Sequence, residues 1–123
     1  DEILRVATPI MYFRRTVIAD TEIGGVAVAK GDRVVLWYAS ANFDESAFVD
    51  PQSFDVGRTP NDHVTFGGGG PHFCLGANLA RLEIRVMLEE LLDQMPTLGP
   101  AGPAVRGSSN FTNGLRQLPA RRT

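Results

Sequence analysis

The residue with the clearest chemical potential is Cys74, the only cysteine of the chain, which follows a run of four glycines and precedes an apolar helical pattern. A thiol placed before a helix lies near the positive end of the helix dipole and near unpaired backbone N–H groups, so its thiolate form is favoured. The glycines at 67–70 let the loop turn tightly and leave room for a flat ligand against the backbone. This combination indicates a metal ligand, and a lone thiolate suits the axial position of a heme iron.

Three other interpretations of Cys74 follow from general cysteine chemistry. Zinc takes three or four protein ligands, and besides Cys74 the chain offers only His63 and His72, so carboxylates would also be needed. His63 could approach Cys74 in a Cys–His hydrolase, although the sequence shows no recognisable orienting group. A buried structural cysteine beneath a helix is the simplest alternative. Cys74 taken by itself does not decide among them.

The loop around Cys74 resembles the heme-binding signature of the cytochrome P450 family, the heme-thiolate monooxygenases. Gly70 lies four residues before the cysteine, the basic residue His72 two before it, and the small residue Gly76 two after it, as in that signature. The family's aromatic residue usually lies seven positions before the cysteine, whereas here Phe66 lies eight before it. One extra loop residue is implied, and this variant resembles bacterial members that oxidise steroids and branched lipids.

A second motif lies at the start of the chain. Glu2 and Arg5 match the Glu-x-x-Arg pair of the family, which in relatives ties the core to the loop below the heme; alone, such a pair is a common helical ion pair. In relatives an arginine in a Pro-x-Arg-Phe segment completes the pair. Here Ser53 takes that position within residues 51–54, and Arg58 is a candidate substitute.

The resemblance implies further contacts to the cofactor and the substrate. Arg14, nine residues after Arg5, corresponds to a cation that binds a heme propionate, with His72 as a second donor; without the resemblance it would be a solvated strand charge. Arg15 is expected on the opposite strand face, because side chains alternate. The residues expected to contact substrate lie after the first helix and at the tip of a last hairpin: Ile10, Met11, Tyr12, Phe111 and Thr112.

The pattern of apolar, glycine and proline residues predicts the elements that position these residues. We expect an α+β segment with short strands and hairpins, the cysteine loop and one long helix. The resemblance implies a parent fold that is mainly α. In the first half we expect a helix end at 2–6, a strand at 10–19, a hairpin at 21–28, a strand at 33–37, a short helix at 44–48 and an irregular segment at 50–60. In the second half we expect a long helix at 75–95, a loop at 99–107 and a final hairpin at 110–118.

The composition is that of an ordinary globular chain. Hydrophobic residues make up 43 % and charged residues 21 %, with a net charge of −2, which argues against disorder and against a nucleic-acid surface. A single cysteine excludes an intrachain disulfide and fits a reducing cytoplasm. The sequence contains no apolar run of membrane-spanning length, and its acidic start differs from a signal peptide. We therefore expect a cytoplasmic protein.

The function that the resemblance implies is heme-thiolate monooxygenation by bacterial-type enzymes. Residues 1–123 would form the C-terminal, proximal part of a single P450 domain whose oxygen-activating helix lies upstream, and the isolated chain would be inactive. The implied cofactor is heme b, with Cys74 as iron ligand. A ferredoxin or flavoprotein would donate electrons, docking near Arg81 and Arg85, although simple solvation also explains these two arginines. One oxygen atom would enter a C–H bond of a steroid, terpenoid or fatty acid.

Two alternatives remain: a heme-binding or electron-transfer module without oxygenase activity, and an inert truncated fragment.

Overall fold

The computed structural model describes residues 1–122 as short helices and antiparallel strand pairs around a polar centre. The helices are α1 (Glu2–Ala7), α2 (Tyr38–Ala41) and α3 (Ala77–Gln94). The strands are β1 (Tyr12–Thr16), β2 (Thr21–Ile23), β3 (Val26–Val28), β4 (Arg33–Trp37), β5 (Leu98–Pro100), β6 (Val105–Arg106), β7 (Leu115–Gln117) and β8 (Ala120–Arg122). Within these residues the strands form four pairs: β1 with β4, β2 with β3, β5 with β8, and β6 with β7. No helix in residues 1–122 combines the length and apolar character needed to cross a membrane.

The first helix is short because its C-terminal cap and the next residue both stop it. Thr8 adopts a left-handed conformation, its N–H donates to Leu4 O, and its hydroxyl donates to Arg5 O at 2.6 Å. Pro9 follows, and a proline both lacks an N–H and disfavours a helical conformation at the residue before it. The chain therefore leaves α1 directly into the extended segment that becomes β1.

The first two strand pairs largely match the sequence expectation. The β2–β3 hairpin turns at Gly24 and Gly25, whose φ angles of 57° and 82° suit glycine. β4 covers residues 33–37 as expected and pairs antiparallel with β1, with Tyr12 opposite Trp37. β1 is shorter than the predicted strand at 10–19.

The predicted short helix at 44–48 is wrong. The Asp44 carboxylate accepts hydrogen bonds from the Ser46 N–H at 2.8 Å and from the Ser46 hydroxyl at 2.6 Å, and the segment forms a turn. Side-chain acceptors of this kind compete with helical hydrogen bonding. The short helix lies instead at α2, directly after β4.

The long helix α3 begins two residues later and ends one residue earlier than predicted. Ala77 is buried at its start, and the helix ends before Pro96. Much of its apolar surface is exposed within this chain: Leu79, Leu82, Val86, Met87 and Leu92. Only part of the helix therefore packs on residues 1–122.

The C-terminal pairing also differs from the prediction. β7 lies within the expected hairpin at 110–118, but its partner β6 lies in the segment predicted as a loop, with Arg106 opposite Leu115. β5 pairs with β8, which begins after the expected hairpin has ended. The β5–β8 pair joins residues 98–100 to residues 120–122, and local turn signals do not reveal partners so far apart in sequence.

The centre of the described structure is polar. The buried residues include polar or charged side chains: Glu2, Arg5, Thr8, Asn42 and Thr65. They also include the apolar or aromatic residues Leu4, Tyr38, Phe48 and Ala77. Such groups stay buried only when they are hydrogen-bonded. Their hydrogen bonds connect α1 to the cysteine loop.

Candidate heme site

Arg5 is fully buried, and all five of its N–H groups have acceptors. Two donate to the Glu2 carboxylate at 2.8 and 2.7 Å, and the other three donate to backbone carbonyls. The carbonyl acceptors are Asn42 O at 2.8 Å, Pro51 O at 2.9 Å and Ser53 O at 3.2 Å. A guanidinium offers five N–H donors in a fixed fork, so this arrangement uses the whole side chain. Arg5 therefore attaches α1 to the irregular segment that follows α2.

Glu2 receives a second cation, Arg58, as the sequence suggested. Arg58 Nε lies 3.2 Å from Glu2 Oε2, and its other nitrogens donate to the carbonyls of Val49, Asp50 and Ser53. Arg58 thus supplies to Glu2 the positive charge that Ser53 does not. Hydrogen bonds from Arg5, from the Asp55 N–H and from Arg58 hold the pKa of Glu2 far below its usual range, although burial opposes them.

Asn42 carries this polar network to the cysteine loop. Its amide nitrogen donates to Thr8 Oγ1 at 2.9 Å and to Thr65 Oγ1 at 3.0 Å, and its carbonyl oxygen accepts the Val64 N–H at 2.8 Å. Thr65 donates in turn to Leu4 O at 2.9 Å. The residues just before the glycine run are therefore fixed to α1 by buried hydrogen bonds.

The loop that carries Cys74 turns through glycines in conformations that other residues rarely adopt. Gly67, Gly69 and Gly70 have φ angles of 94°, 98° and 77°. The Cys74 N–H donates to Phe66 O at 2.9 Å, which closes the loop, and Cys74 O accepts the Ala77 N–H at the start of α3. The thiol belongs to an exposed residue and faces a cavity.

The cavity at Cys74 has a volume of about 360 Å³ and is mostly apolar. A second cavity of about 450 Å³ adjoins it, and the two share Arg15, Tyr38 and His72. The first is lined by Cys74 and by the apolar residues Pro9, Ile10, Phe13 and Phe66, and the glycines at 67–69 line the second. The structure thus brings a thiol, two basic residues and apolar side chains to one open face.

The basic residue that β1 places at the two cavities is Arg15, one position after the predicted Arg14. Arg15 lines both cavities, beside His72, whereas Arg14 is not among their lining residues. Phe13 and Arg15 share the cavity side of the strand because side chains alternate along it. Among residues 1–122, Arg15 makes no ion pair, so its charge is free to bind an anionic group. Its side chain lies 5.9 Å from the Phe13 ring centroid and donates to Arg14 O.

The predicted substrate-contacting residues come together around β1. Ile10 pairs with Thr112, and the Met11 N–H donates to Phe111 O at 3.0 Å. The Phe111 ring meets Tyr12 edge-on at 5.7 Å. Ile10 is the member of this group that lines the Cys74 cavity. Their role toward a substrate stays a prediction.

The other interpretations of Cys74 find no matching geometry in the described residues. No three His, Cys, Asp or Glu side chains of residues 1–122 converge as zinc ligands would. In the same range, no hydrogen bond joins the Cys74 thiol to His63 or His72, which a Cys–His pair requires. The Cys74 thiol is also not enclosed in a core, because it opens to the cavity.

The residues at this face fit a heme. A heme is a flat apolar ring with two carboxylates, so it requires an axial ligand, an apolar surface and cations. Cys74 offers the ligand, Ile10 and Phe66 offer apolar surface, and Arg15 with His72 offers groups for the carboxylates. The glycines at 67–69 place backbone rather than side chains against the second cavity.

Comparison with known proteins agrees with this geometry. The family model described as cytochrome P450 matches residues 1–95, most of the chain. The chain belongs to the cytochrome P450 family. It is 54 % identical over 119 residues to a methyl-branched lipid omega-hydroxylase of Mycobacterium bovis, and 52 % identical over 118 residues to a steroid C26-monooxygenase of Rhodococcus jostii.

Solved P450 structures show the same fold over nearly the whole chain. A Mycobacterium marinum cytochrome P450 in complex with pseudoionone superposes with a TM-score of 0.93 at 50 % identity, covering 97 % of this chain and 28 % of that one. A Bacillus megaterium P450 in complex with testosterone superposes with a TM-score of 0.92 at 40 % identity, covering 98 % of this chain and 34 % of that one. Against the two enzymes above, the alignments cover 97 % and 96 % of this chain but 28 % and 25 % of theirs. The chain thus spans about a quarter of the length of these relatives.

Several residues of the site were not found from the sequence. Asn42 and Tyr38 lie in a segment without a recognisable motif, and His63 was considered only as a partner of Cys74. The position of Arg15 could have been found if the apolar Phe13 had been assigned to the cavity side of β1, because side chains alternate along a strand. No comparable signal marks Asn42, because its partners are distant in sequence.

Proposed function

We propose that the protein to which this chain belongs is a heme-thiolate monooxygenase, and that residues 1–123 form the C-terminal, proximal part of its single P450 domain. The supporting observation is the open face where Cys74, His72 and Arg15 meet an apolar lining. Heme b bound there would supply the activation of dioxygen: one oxygen atom would be inserted into a substrate C–H bond and the other would leave as water, with two electrons and two protons consumed.

Each residue of the face has a distinct part in this proposal. The Cys74 thiolate ligates the iron, and its N–H bond to Phe66 O keeps the sulfur in place. Arg15 and His72 bind the propionates, and Gly70 and Gly76 give the loop room to turn. The Glu2–Arg5 pair, with Arg58, holds the segment behind the loop.

We propose a hydrophobic substrate, of the lipid or steroid type that the names of the relatives indicate, with terpenoids and fatty acids as further candidates. Ile10 lines the cavity, and Phe111 and Thr112 contact the adjoining strand segment. Met11 and Tyr12 lie in the same segment and complete the proposed group. These side chains would exclude water and orient an apolar molecule by shape.

Electrons would come from a ferredoxin or flavoprotein that docks near the start of α3. Arg85 has a side chain that is 70 % exposed and contacts Glu89 only at 3.9 Å, so its charge is available to an acidic partner. Arg81 is 40 % exposed and already binds Asp1. Arg85 is therefore the stronger candidate of the two.

The test is oxygen transfer by the protein expressed from its full reading frame. The heme-loaded protein is supplied with a ferredoxin system, ¹⁸O₂ and a panel of steroids and branched fatty acids, and products are analysed by mass spectrometry. We expect a product that contains one ¹⁸O atom, and its loss in Cys74→Ser. Heme binding without any labelled product across the panel would favour the electron-transfer alternative.

A further inference from the structure

His63 is a buried ionisable residue to which the heme-binding roles above assign no task. Its side chain is 1 % exposed, and it lines neither of the two cavities. Nε2 lies 3.2 Å from Asp1 Oδ1, at the start of α1, and Nδ1 accepts the Thr65 N–H at 3.3 Å. The ring therefore joins the first helix to the residue that precedes Phe66.

The two contacts of the ring fix its protonation. Because Nδ1 accepts a hydrogen bond from Thr65, the proton of the neutral ring lies on Nε2, which donates to the Asp1 carboxylate. A charged imidazolium would turn an N–H toward the Thr65 N–H and lose that contact. Burial and the nearby Arg81 lower the pKa of His63, in agreement with a neutral ring.

Asp1 also binds Arg81, and Arg81 covers the aromatic ring of the loop. Arg81 Nε donates to Asp1 Oδ1 at 3.0 Å, and its guanidinium carbon lies 4.7 Å from the Phe66 ring centroid. The His63 ring is 6.1 Å from the same centroid. Phe66 thus lies beside a histidine and an arginine that share one carboxylate.

Phe66 connects this group to the thiol, since Phe66 O accepts the Cys74 N–H at 2.9 Å. We propose that His63 is a positioning residue for heme ligation: as a neutral bridge between Asp1 and Thr65, with Arg81 on Phe66, it holds the loop in the conformation in which Cys74 ligates the iron. The inference rests on the proposed heme-thiolate function.

The test compares variants of the heme-loaded protein expressed from its full reading frame, chemically reduced and bound to carbon monoxide. His63→Leu removes both hydrogen bonds of the ring. In His63→Asn the side-chain oxygen can still accept the Thr65 N–H, as in an Asx turn. We expect His63→Leu to raise the ratio of non-thiolate to thiolate complex about thirtyfold, a factor of about five for each of the two lost hydrogen bonds. His63→Asn should restore much of the wild-type ratio.

Arg81→Met provides a second arm, with Arg33→Met, an exposed arginine on β4, as its control. Arg81→Met should raise the same ratio because the guanidinium no longer lies over the Phe66 ring, while Arg33→Met should leave the ratio unchanged. Equal ratios in wild type, His63→Leu and Arg81→Met would overturn the inference, as would equal losses in the Leu and Asn variants. A thiolate band that persists in Cys74→Ser would instead overturn the proposed function.

Discussion

At the scale of single residues, the site depends on arginines with several hydrogen-bond acceptors and on one arginine that has no ion-pair partner among residues 1–122. Arg5 fills all five of its donor positions, and Arg58 donates to Glu2 and to three carbonyls. Arg15 differs, since it faces the cavities without an ion-pair partner among residues 1–122. A cation held in this way binds a carboxylate more strongly than a paired one, because no existing ion pair must be broken.

Replacement of Arg15 should therefore weaken heme binding more than replacement of its neighbour. In the full-length protein we expect Arg15→Gln to release heme to excess apomyoglobin about tenfold faster, as for a lost hydrogen bond to a charged group. Arg14→Gln is the matched control and should release heme at the wild-type rate. Faster release from Arg14→Gln than from Arg15→Gln would restore the assignment made from the sequence.

Glu2 gives the protein an acid-sensitive contact. Its pKa is far below the usual range in the folded state, so below about pH 4.5 the unfolded chain takes up a proton that the folded chain does not. The stabilisation from Glu2 is complete at neutral pH and falls with decreasing pH, by up to about 1.4 kcal/mol per pH unit. The free energy of unfolding is measured by urea titration at several pH values between 3 and 5. It should change less with pH in Glu2→Gln than in wild type, whereas the exposed Glu22→Gln should show the wild-type pH dependence. The same pH dependence in Glu2→Gln and wild type would contradict this assignment.

At the scale of elements, α1 serves as the support of the cysteine loop. Arg5 attaches it to residues 42–53, Asn42 continues to Thr65, and His63 joins its first residue to the same loop. α1 has only six residues, too few to be stable alone, so these tertiary contacts must hold it.

Arg5→Lys tests this support. A lysine offers three donors on a flexible stem and cannot reproduce the planar fork, so buried carbonyls would lose their partners. We expect a loss of about 3–5 kcal/mol in the free energy of unfolding of the full-length protein. The exposed Arg33→Lys on β4 should stay within about 0.5 kcal/mol. A similarly small effect for Arg5→Lys in denaturant unfolding would show that α1 is held by other contacts.

The sequence predicted features that depend on neighbouring residues better than features that depend on residues far apart in the chain. The cysteine loop and the Glu2–Arg5 pair are local motifs with fixed spacing, and the β2–β3 hairpin is marked by its two glycines. The choice between Arg14 and Arg15 needed the parity of β1, where a shift of one residue reverses the face. The pairing of β5 with β8 and the contacts of Asn42 join distant residues, so local patterns carry no sign of them.

At the scale of the whole molecule, the chain leaves much apolar surface uncovered. Leu79 is 60 % exposed and Leu92 is 73 % exposed on α3, and Trp37 is 54 % exposed beside the second cavity. Large exposed apolar side chains favour association in soluble proteins when they lie close together. These exposures agree with the proposal that residues 1–123 form part of a larger P450 domain.

The isolated chain should therefore associate. We expect residues 1–123 to sediment as oligomers and to bind a hydrophobic dye, and Leu79→Gln with Leu92→Gln should reduce both effects. The heme-loaded full-length protein should bind little dye. A monomeric isolated chain without dye binding would show that its apolar side chains do not form an adhesive surface.

The central claim is that Cys74 is the thiolate ligand of a heme. The most direct measurement is the absorption spectrum of the reduced, carbon monoxide-bound protein from the full reading frame, recorded for wild type and Cys74→Ser. We predict a thiolate-type band in the wild type that disappears in Cys74→Ser while bound heme is still detected. A wild-type spectrum without that band, or the same band in Cys74→Ser, would contradict the assignment of Cys74.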